Sequence, residues 1–261
     1  MMFLVILLII ILFFPYASAS EPILITKSVN MNDVEFDGKW TTKLEWKKSS
    51  WNEFSFDDKK IHLRSAHQGD FIYFLIDPVD DLTLDNGADK ATICIDSKNN
   101  KSIIPDSDDF CFSIALGNSQ GIVFQGGTDL INKNYMKRIL NVDNFIAVSK
   151  ISDANDRYSS IPHPTFEFKI PLELIGRSDN YGFYFSVYDA SENQFSSYPI
   201  EAEREKMFTL PSPKLWGNLV SPDKSLPEFE IPLLVLLATL VFIIILGRRN
   251  KNLLNYQKIG F

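Results

Sequence analysis

A chain of 261 residues with 45% hydrophobic, 23% charged and 13% aromatic side chains, 12 Gly and 13 Pro, has apolar material for one sizeable core or two small ones. It has too little Gly and Pro for a collagen-like or low-complexity protein. The balance of 26 Lys and Arg against 33 Asp and Glu, a net charge of -7, argues against a nucleic-acid binder, which needs a basic face to displace counterions from phosphates.

The first 16 residues are uncharged and apolar, and Ala17-Ser18-Ala19 follows as a small-residue cleavage site. This predicts a secretory signal peptide over 1–19. No Lys or Arg precedes the run, so a retained N-terminal anchor is the alternative.

Residues 20–226 form the expected extracellular domain, with a net charge of -9 from 22 basic and 31 acidic side chains. Such a surface favours solubility and divalent cations and repels anionic polymers. Short runs of Ile, Val, Phe and Tyr are separated by Asp, Asn, Gly, Ser and Pro clusters, with almost no helical periodicity. Strands are expected at Ile61–Ala66, Phe71–Asp77, Ala91–Asp96, Phe110–Leu116, Gly121–Gln125, Phe145–Ile151, Thr165–Ile170, Tyr181–Asp189 and Lys206–Leu210. Hairpin turns are expected at 68–70 and 117–120. The fold class is all-β, an antiparallel β-sandwich of jelly-roll type.

Within Tyr181–Asp189, alternation sends Phe183, Phe185 and Val187 to the core and Tyr184, Ser186 and Tyr188 outward. The outward tyrosines are a candidate binding platform, or aromatic packing on an exposed face. If Ala91–Asp96 and Phe110–Leu116 form a hairpin, symmetric pairing sets Cys94 opposite Cys111, on the face away from Ile93, Ile95, Phe110 and Phe112. Two cysteines facing each other across a ladder in a secreted domain predict a disulfide that closes a short loop. The sequon Asn100-Lys101-Ser102 in that loop makes Asn100 a candidate glycosylation site.

Beyond a short linker over 227–230, residues 231–247 are uncharged and almost wholly aliphatic. As a helix this run covers about 25 Å, which flanking residues extend to a bilayer span. Arg248, Arg249, Lys251 and Lys258 in the tail 248–261 place that end in the cytoplasm. The expected topology is a single-pass cell-membrane protein with its large domain outside. Pro227-Glu228-Phe229, the apolar span and Arg248-Arg249 together resemble archaeal C-terminal sorting signals built on a Pro-Glu-Phe tripeptide, which implies a surface protein whose tail is exchanged for another anchor. Here the chain runs on past the basic pair to Phe261, a departure from that pattern that favours a retained helix.

Catalytic motifs are sparse. Gly117-Asn118-Ser119-Gln120-Gly121 fits G-x-S-x-G, but a strand rather than a helix is expected after it, so it reads as a hairpin turn. His62, His67 and His163 lack tight metal-ligand spacing and read as surface or packing residues. Asp77, Asp80, Asp81, Asp85 and Asp89 crowd one loop, and hard oxygen ligands there suit Ca2+, although the spacing fits no EF-hand and solvated acidic loops explain the same residues. Trp40, Trp46, Trp51 and Trp216, with Tyr184 and Tyr188, are candidate ligand-binding residues, because flat aromatic faces stack on the C–H faces of sugar rings. At least two of the four tryptophans are expected in the core.

In order along the chain, Phe36-Asp37-Gly38-Lys39 with Glu45-Trp46, the strand Asp70–Asp77, the acidic-ended strand Asp89–Asp96, Phe166-Glu167-Phe168-Lys169-Ile170-Pro171 with Leu174, and Trp216-Gly217 resemble the family 9 carbohydrate-binding modules. The resemblance implies a sandwich that binds a polysaccharide or glycan between aromatic side chains, often with structural calcium. It extends to DOMON domains and to the haem b subunit of ethylbenzene dehydrogenase-like enzymes, where Met and Lys grip the iron. Met136 and Lys137 are adjacent, and neighbours on a strand face opposite ways, so they cannot both be axial ligands. The expected function is therefore non-enzymatic binding, with haem-dependent electron transfer or a structural role at the cell surface as alternatives.

Overall fold

The computed structural model describes residues 20–57, 59–127, 135–202 and 209–222, with Thr239 and Phe242. The chain divides into two compact units, residues 1–223 and 224–261, and all the described strands belong to the first. The expected signal peptide lies outside the described residues. So does the expected membrane span, apart from Thr239 and Phe242, which are helical. Among the described residues no helix is long and apolar enough to cross a membrane.

Two mainly antiparallel sheets form the body. In chain order the strands are β1 (Ile23–Leu24), β2 (Thr26–Lys27), β3 (Ser50–Phe56), β4 (Lys59–Gln68), β5 (Phe71–Asp77), β6 (Lys90–Asp96) and β7 (Asp109–Ala115). They continue as β8 (Ile122–Gln125), β9 (Lys137–Ile139), β10 (Ile146–Ile151), β11 (Pro164–Pro171), β12 (Asn180–Asp189), β13 (Gln194–Tyr198) and β14 (Gly217–Val220). The larger sheet runs β1-β14-β12-β6-β7-β8-β9, with β13 also beside β12. The smaller runs β10-β11-β5-β4-β2, with β3 also on β4. Among the described strands, β1 with β14 and β2 with β4 are the pairs that run parallel.

Alternation along each strand sends one set of side chains into the space between the sheets. Ile61, Leu63, Ile72, Phe74, Ile76, Phe166, Phe168 and Ile170 from the smaller sheet meet Ile93, Ile95, Phe110, Phe112, Phe183, Phe185 and Val187 from the larger in one core. Phe74 and Phe183 stack across it with ring centroids 5.4 Å apart. Seven of the expected strands are present with ends shifted by a residue or two, and Phe71–Asp77 keeps its bounds. Of the ninth, Lys206–Leu210, residues 206–208 lie outside the described residues, and Thr209 and Leu210 are not in a strand. The strands β1, β2, β3, β9, β13 and β14 and the helical turn α1 (Leu172–Ile175) had no counterpart among the expected elements.

The turn at 117–120 joins β7 to β8, with Gly117 at a φ of 79°, so Ser119 sits on a hairpin and not on a nucleophile elbow. In the β6–β7 ladder Cys94 pairs with Cys111, and the two form a disulfide.

Candidate functional site

The outer face of the smaller sheet is not open. Residues 28–49 fold over it, and Met31, Val34, Trp40 and Trp46 form a second apolar cluster with Ala66, Tyr73 and Leu75. This explains why β5 is apolar on both faces. Buried Glu167 is the polar pin of the cover, accepting hydrogen bonds from the Gly38 amide at 2.7 Å and from the Trp46 indole at 2.9 Å. Burial holds its carboxyl well above the ordinary value despite those two donors. The Phe36–Lys39 turn and Glu45-Trp46 are thus scaffold: Gly38 has a φ of 94° and lies against the Ser149–Lys150 backbone, where a side chain has no room.

Trp40 and Trp46 consequently present no face to solvent, and Trp216 and Tyr184 are buried too. Ala202 and Trp216 pack onto Tyr184 and the disulfide on the larger sheet's outer face. Tyr184 does lie on the outer side of β12, as alternation requires, but it is covered. Trp51 is the exposed member of the expected set, at 52%. It stacks on Tyr158 at 6.2 Å and donates its indole N–H to His62 Nδ1 at 3.1 Å, with the Arg64 guanidinium 6.0 Å from its ring.

Among the described residues, the larger sheet's outer face also carries a groove of about 250 Å3. Its floor carries three hydroxyls, Thr92, Ser113 and Ser186, in register across β7, β6 and β12. Thr92 Oγ1 and Ser113 Oγ lie 3.0 Å apart and share a hydrogen bond. Aromatic rings stand on both sides, Phe124 from β8, with Ile122 beside it, and Tyr188 with Phe195 from β12 and β13, and Lys90 lies at one end. Tyr188 is itself mostly buried, fixed by a 4.6 Å ring contact to Phe195 and by its hydroxyl donating to Asn193 Oδ1. Of the expected ligand residues Tyr188 alone lines this groove, and its other walls were not anticipated.

The acidic loop divides into separate environments. Asp81 and Asp89 converge with Asp189, all buried, each offering a carboxylate oxygen within 4.8 Å of the others. Asp81 is 4% exposed, and its Oδ2 is buried with no hydrogen-bond partner. Burial first, and the neighbouring Asp189 and Asp89 charges with it, push Asp81 up to about 6; burial, with the Asp85 and Asp189 charges, raises Asp89. Against the cost of burial, Lys59 and Ser191 hold Asp189 below its ordinary value. Asp80 instead accepts the Lys60 amide, and Asp85 lends its own amide to Asp89 while its Oδ2 is buried without a partner. Asp77 points elsewhere, to His163. Three carboxylates, one with an orphaned oxygen, against the single ammonium of Lys59 make a donor set that fits a hard dication.

The three histidines are packed inside, as the plainer reading has it. Ser152, His163 and Asp77 form a hydrogen-bonded row, but Ser152 is buried and its Oγ accepts the His163 backbone N–H, so no nucleophile faces a substrate. Met136 packs against the disulfide cluster and Lys137 is exposed on β9. Asn100 is exposed, with its Nδ2 donating to Asp106 and Asp108.

No family profile matches the chain, and no curated protein matches it. Among solved structures it is similar to a carbohydrate-binding module of family 9 from Caldicellulosiruptor kristjanssonii in complex with cellotriose, with 14% identity over 77% of this chain and 93% of that one, and a TM-score of 0.49. The same module in complex with glucose aligns at 15% identity over 77% and 95%, with a TM-score of 0.48.

Proposed function

We propose that this chain is a membrane-anchored external binding domain that takes a saccharide in the groove on the outer face of its larger sheet. The observation that carries the reading is the groove itself: a floor of in-register hydroxyls that exchange hydrogen bonds with sugar hydroxyls, between aromatic walls that cover sugar C–H faces. The ring contact of Tyr188 with Phe195 pre-organises one wall, which lowers the ordering cost of binding. Affinity electrophoresis of the full-length chain through soluble polysaccharides tests it. Phe124→Ala and Phe195→Ala each weaken binding about tenfold, the effect of ~1.4 kcal/mol of lost stacking, and Trp51→Ala leaves it unchanged. Binding lost only in Trp51→Ala would move the site to the Trp51–Tyr158 stack, and unaltered binding in all three would remove the proposal.

Calcium belongs to the same reading. Asp81, Asp89 and Asp189 would hold it, and Asp89 and Asp189 directly precede and follow the ladder pair Lys90 and Tyr188 that ends the groove. A dication there neutralises the buried carboxylates and fixes the strand ends that carry the groove wall. Anchoring rests on the apolar stretch 231–247 and the basic residues after it. Alkaline extraction leaves the full chain with membranes and releases a chain ending at residue 226.

A further inference from the structure

Away from the groove and the Asp81 cluster, Asp77, Asp156 and His163 form a buried group with more ligand atoms than partners. His163 is fully buried between Pro162 and Pro164, where β11 begins. Its Nδ1 lies 2.7 Å from the Ile161 carbonyl oxygen, which can only accept, and 2.9 Å from Ser152 Oγ; a proton on Nδ1 serves both contacts, whereas a bare Nδ1 would set its lone pair against the carbonyl. Nε2 then faces Asp77 Oδ1 at 2.6 Å and Asp156 Oδ1 at 4.0 Å. Asp77, at the end of β5, and the Asp156 side chain, in the 152–163 loop, are 1% and 2% exposed. Asp156 Oδ1 accepts the amides of Tyr158 and Ser159, whereas Oδ2 of both aspartates is buried with no hydrogen-bond partner.

We propose that Asp77, Asp156 and His163 form a binding site for a first-row transition dication of the zinc type. The three residues offer ligand atoms that all lie within 4.8 Å of one another, so a small ion reaches them with sub-ångström adjustments. One imidazole nitrogen with two carboxylates suits zinc, cobalt or manganese, whereas calcium takes only oxygens. The Ile161 carbonyl supplies the outer-shell contact that ligating histidines require, holding the tautomer whose Nε2 lone pair points at the ion. Even as an imidazolium, His163 leaves one uncompensated negative charge and two orphaned oxygens; a dication balances both carboxylates and pairs with those oxygens. A surface depression lined by Trp40, Thr41, Lys43, Asn155, Asp156 and Arg157 shares Asp156 with the group. The ion would pin the 152–163 loop, which carries Tyr158, to the ends of β5 and β11.

The competing arrangement is a proton shared between the two aspartates. Equilibrium dialysis of the full-length chain against Zn2+ alone, with Co2+ as the spectroscopic probe, separates the two. The proposal expects one equivalent of zinc bound and a visible Co2+ spectrum with imidazole coordination. Asp156→Asn, which keeps an oxygen acceptor for the two loop amides, weakens zinc binding at least tenfold, and so does His163→Gln. Asp81→Asn leaves it unchanged, which separates this site from the calcium cluster and from saccharide binding. The proposal is overturned by zinc binding that is absent from the wild type or equal in Asp156→Asn. It is also overturned by a protonated-carboxyl infrared band that persists under saturating zinc and disappears in Asp156→Asn.

Discussion

Asp109 allows a stability prediction with a definite sign. Its carboxylate lies across the β6–β7 ladder from Asp96, fully buried, with Oδ2 accepting from the Asp106 amide and Ser102 and Oδ1 without a partner. Burial, reinforced by the Asp96 and Asp106 charges, pushes it up from 3.8 to about 7. In the unfolded chain the same group titrates near its ordinary value, so between about pH 4 and pH 7 the native state binds a proton that the unfolded state does not. Stability from this group is therefore fully present below about pH 4 and is lost as pH rises through about 7, on the order of 4 kcal/mol at pH 8. Asp109→Asn removes the titration and keeps the acceptor that Asp106 and Ser102 use. Urea unfolding of both proteins at pH 4.5 and pH 8 gives the difference directly. Relative to wild type the variant gains about 3 to 4 kcal/mol between the two pH values, and Asp77, Asp81 and Glu167, common to both proteins, cancel in the comparison. An equal stability difference at the two pH values would falsify the assignment of a buried proton to Asp109.

Replacing Cys94 and Cys111 together by Ala opens the 17-residue separation they close, costing about 3 kcal/mol and lowering Tm by roughly 6 to 12 °C in a calorimetric scan; an unchanged Tm would show that the bridge carries no stability. Trp46→Phe leaves Glu167 Oε1 without its indole donor, and denaturant titration should show a loss of about 1 to 3 kcal/mol, of which Glu167→Gln in the same background recovers part. Gly38→Ala places a Cβ 2.6 Å from the Ser149 carbonyl carbon at a φ of 94°, with an expected loss of about 2 kcal/mol or more, and a neutral result would mean that the 28–49 cover does not pack on β10 as described. Calcium raises Tm of the wild type over a chelated sample, and Asp81→Asn abolishes that increment.

The sandwich was legible where strands are long and buried. Phe71–Asp77 and Tyr181–Asp189 announce themselves as aromatic and β-branched runs, and the alternation about Cys94 and Cys111 located the disulfide from spacing alone. The short strands β1, β2, β9, β13 and β14 escaped because two to five residues such as Gly217–Val220 or Gln194–Tyr198 bury too little for composition to mark them. The site was legible only in part, for a non-local reason. Whether Trp46 faces water depends on residues 28–49 folding across β4 and β5, and whether Tyr184 does depends on Trp216. Local pattern places a side chain on a face, but not what covers that face. In the same way Asp189 joins Asp81 and Asp89, and Asp156 joins Asp77, across gaps of 79 or more residues that spacing rules do not span. Phe195 was hidden because β13 itself was.

The most direct test of the central claim is a chemical-shift titration of the amides of the full-length chain in detergent with a soluble oligosaccharide that its polysaccharide profile selects. Saturable shifts concentrated at Lys90–Thr92, Ser113, Ile122–Phe124, Ser186–Tyr188 and Phe195 are the expected result. Saturable shifts confined to Trp51, Tyr158 and their neighbours, with the groove residues silent, would contradict it.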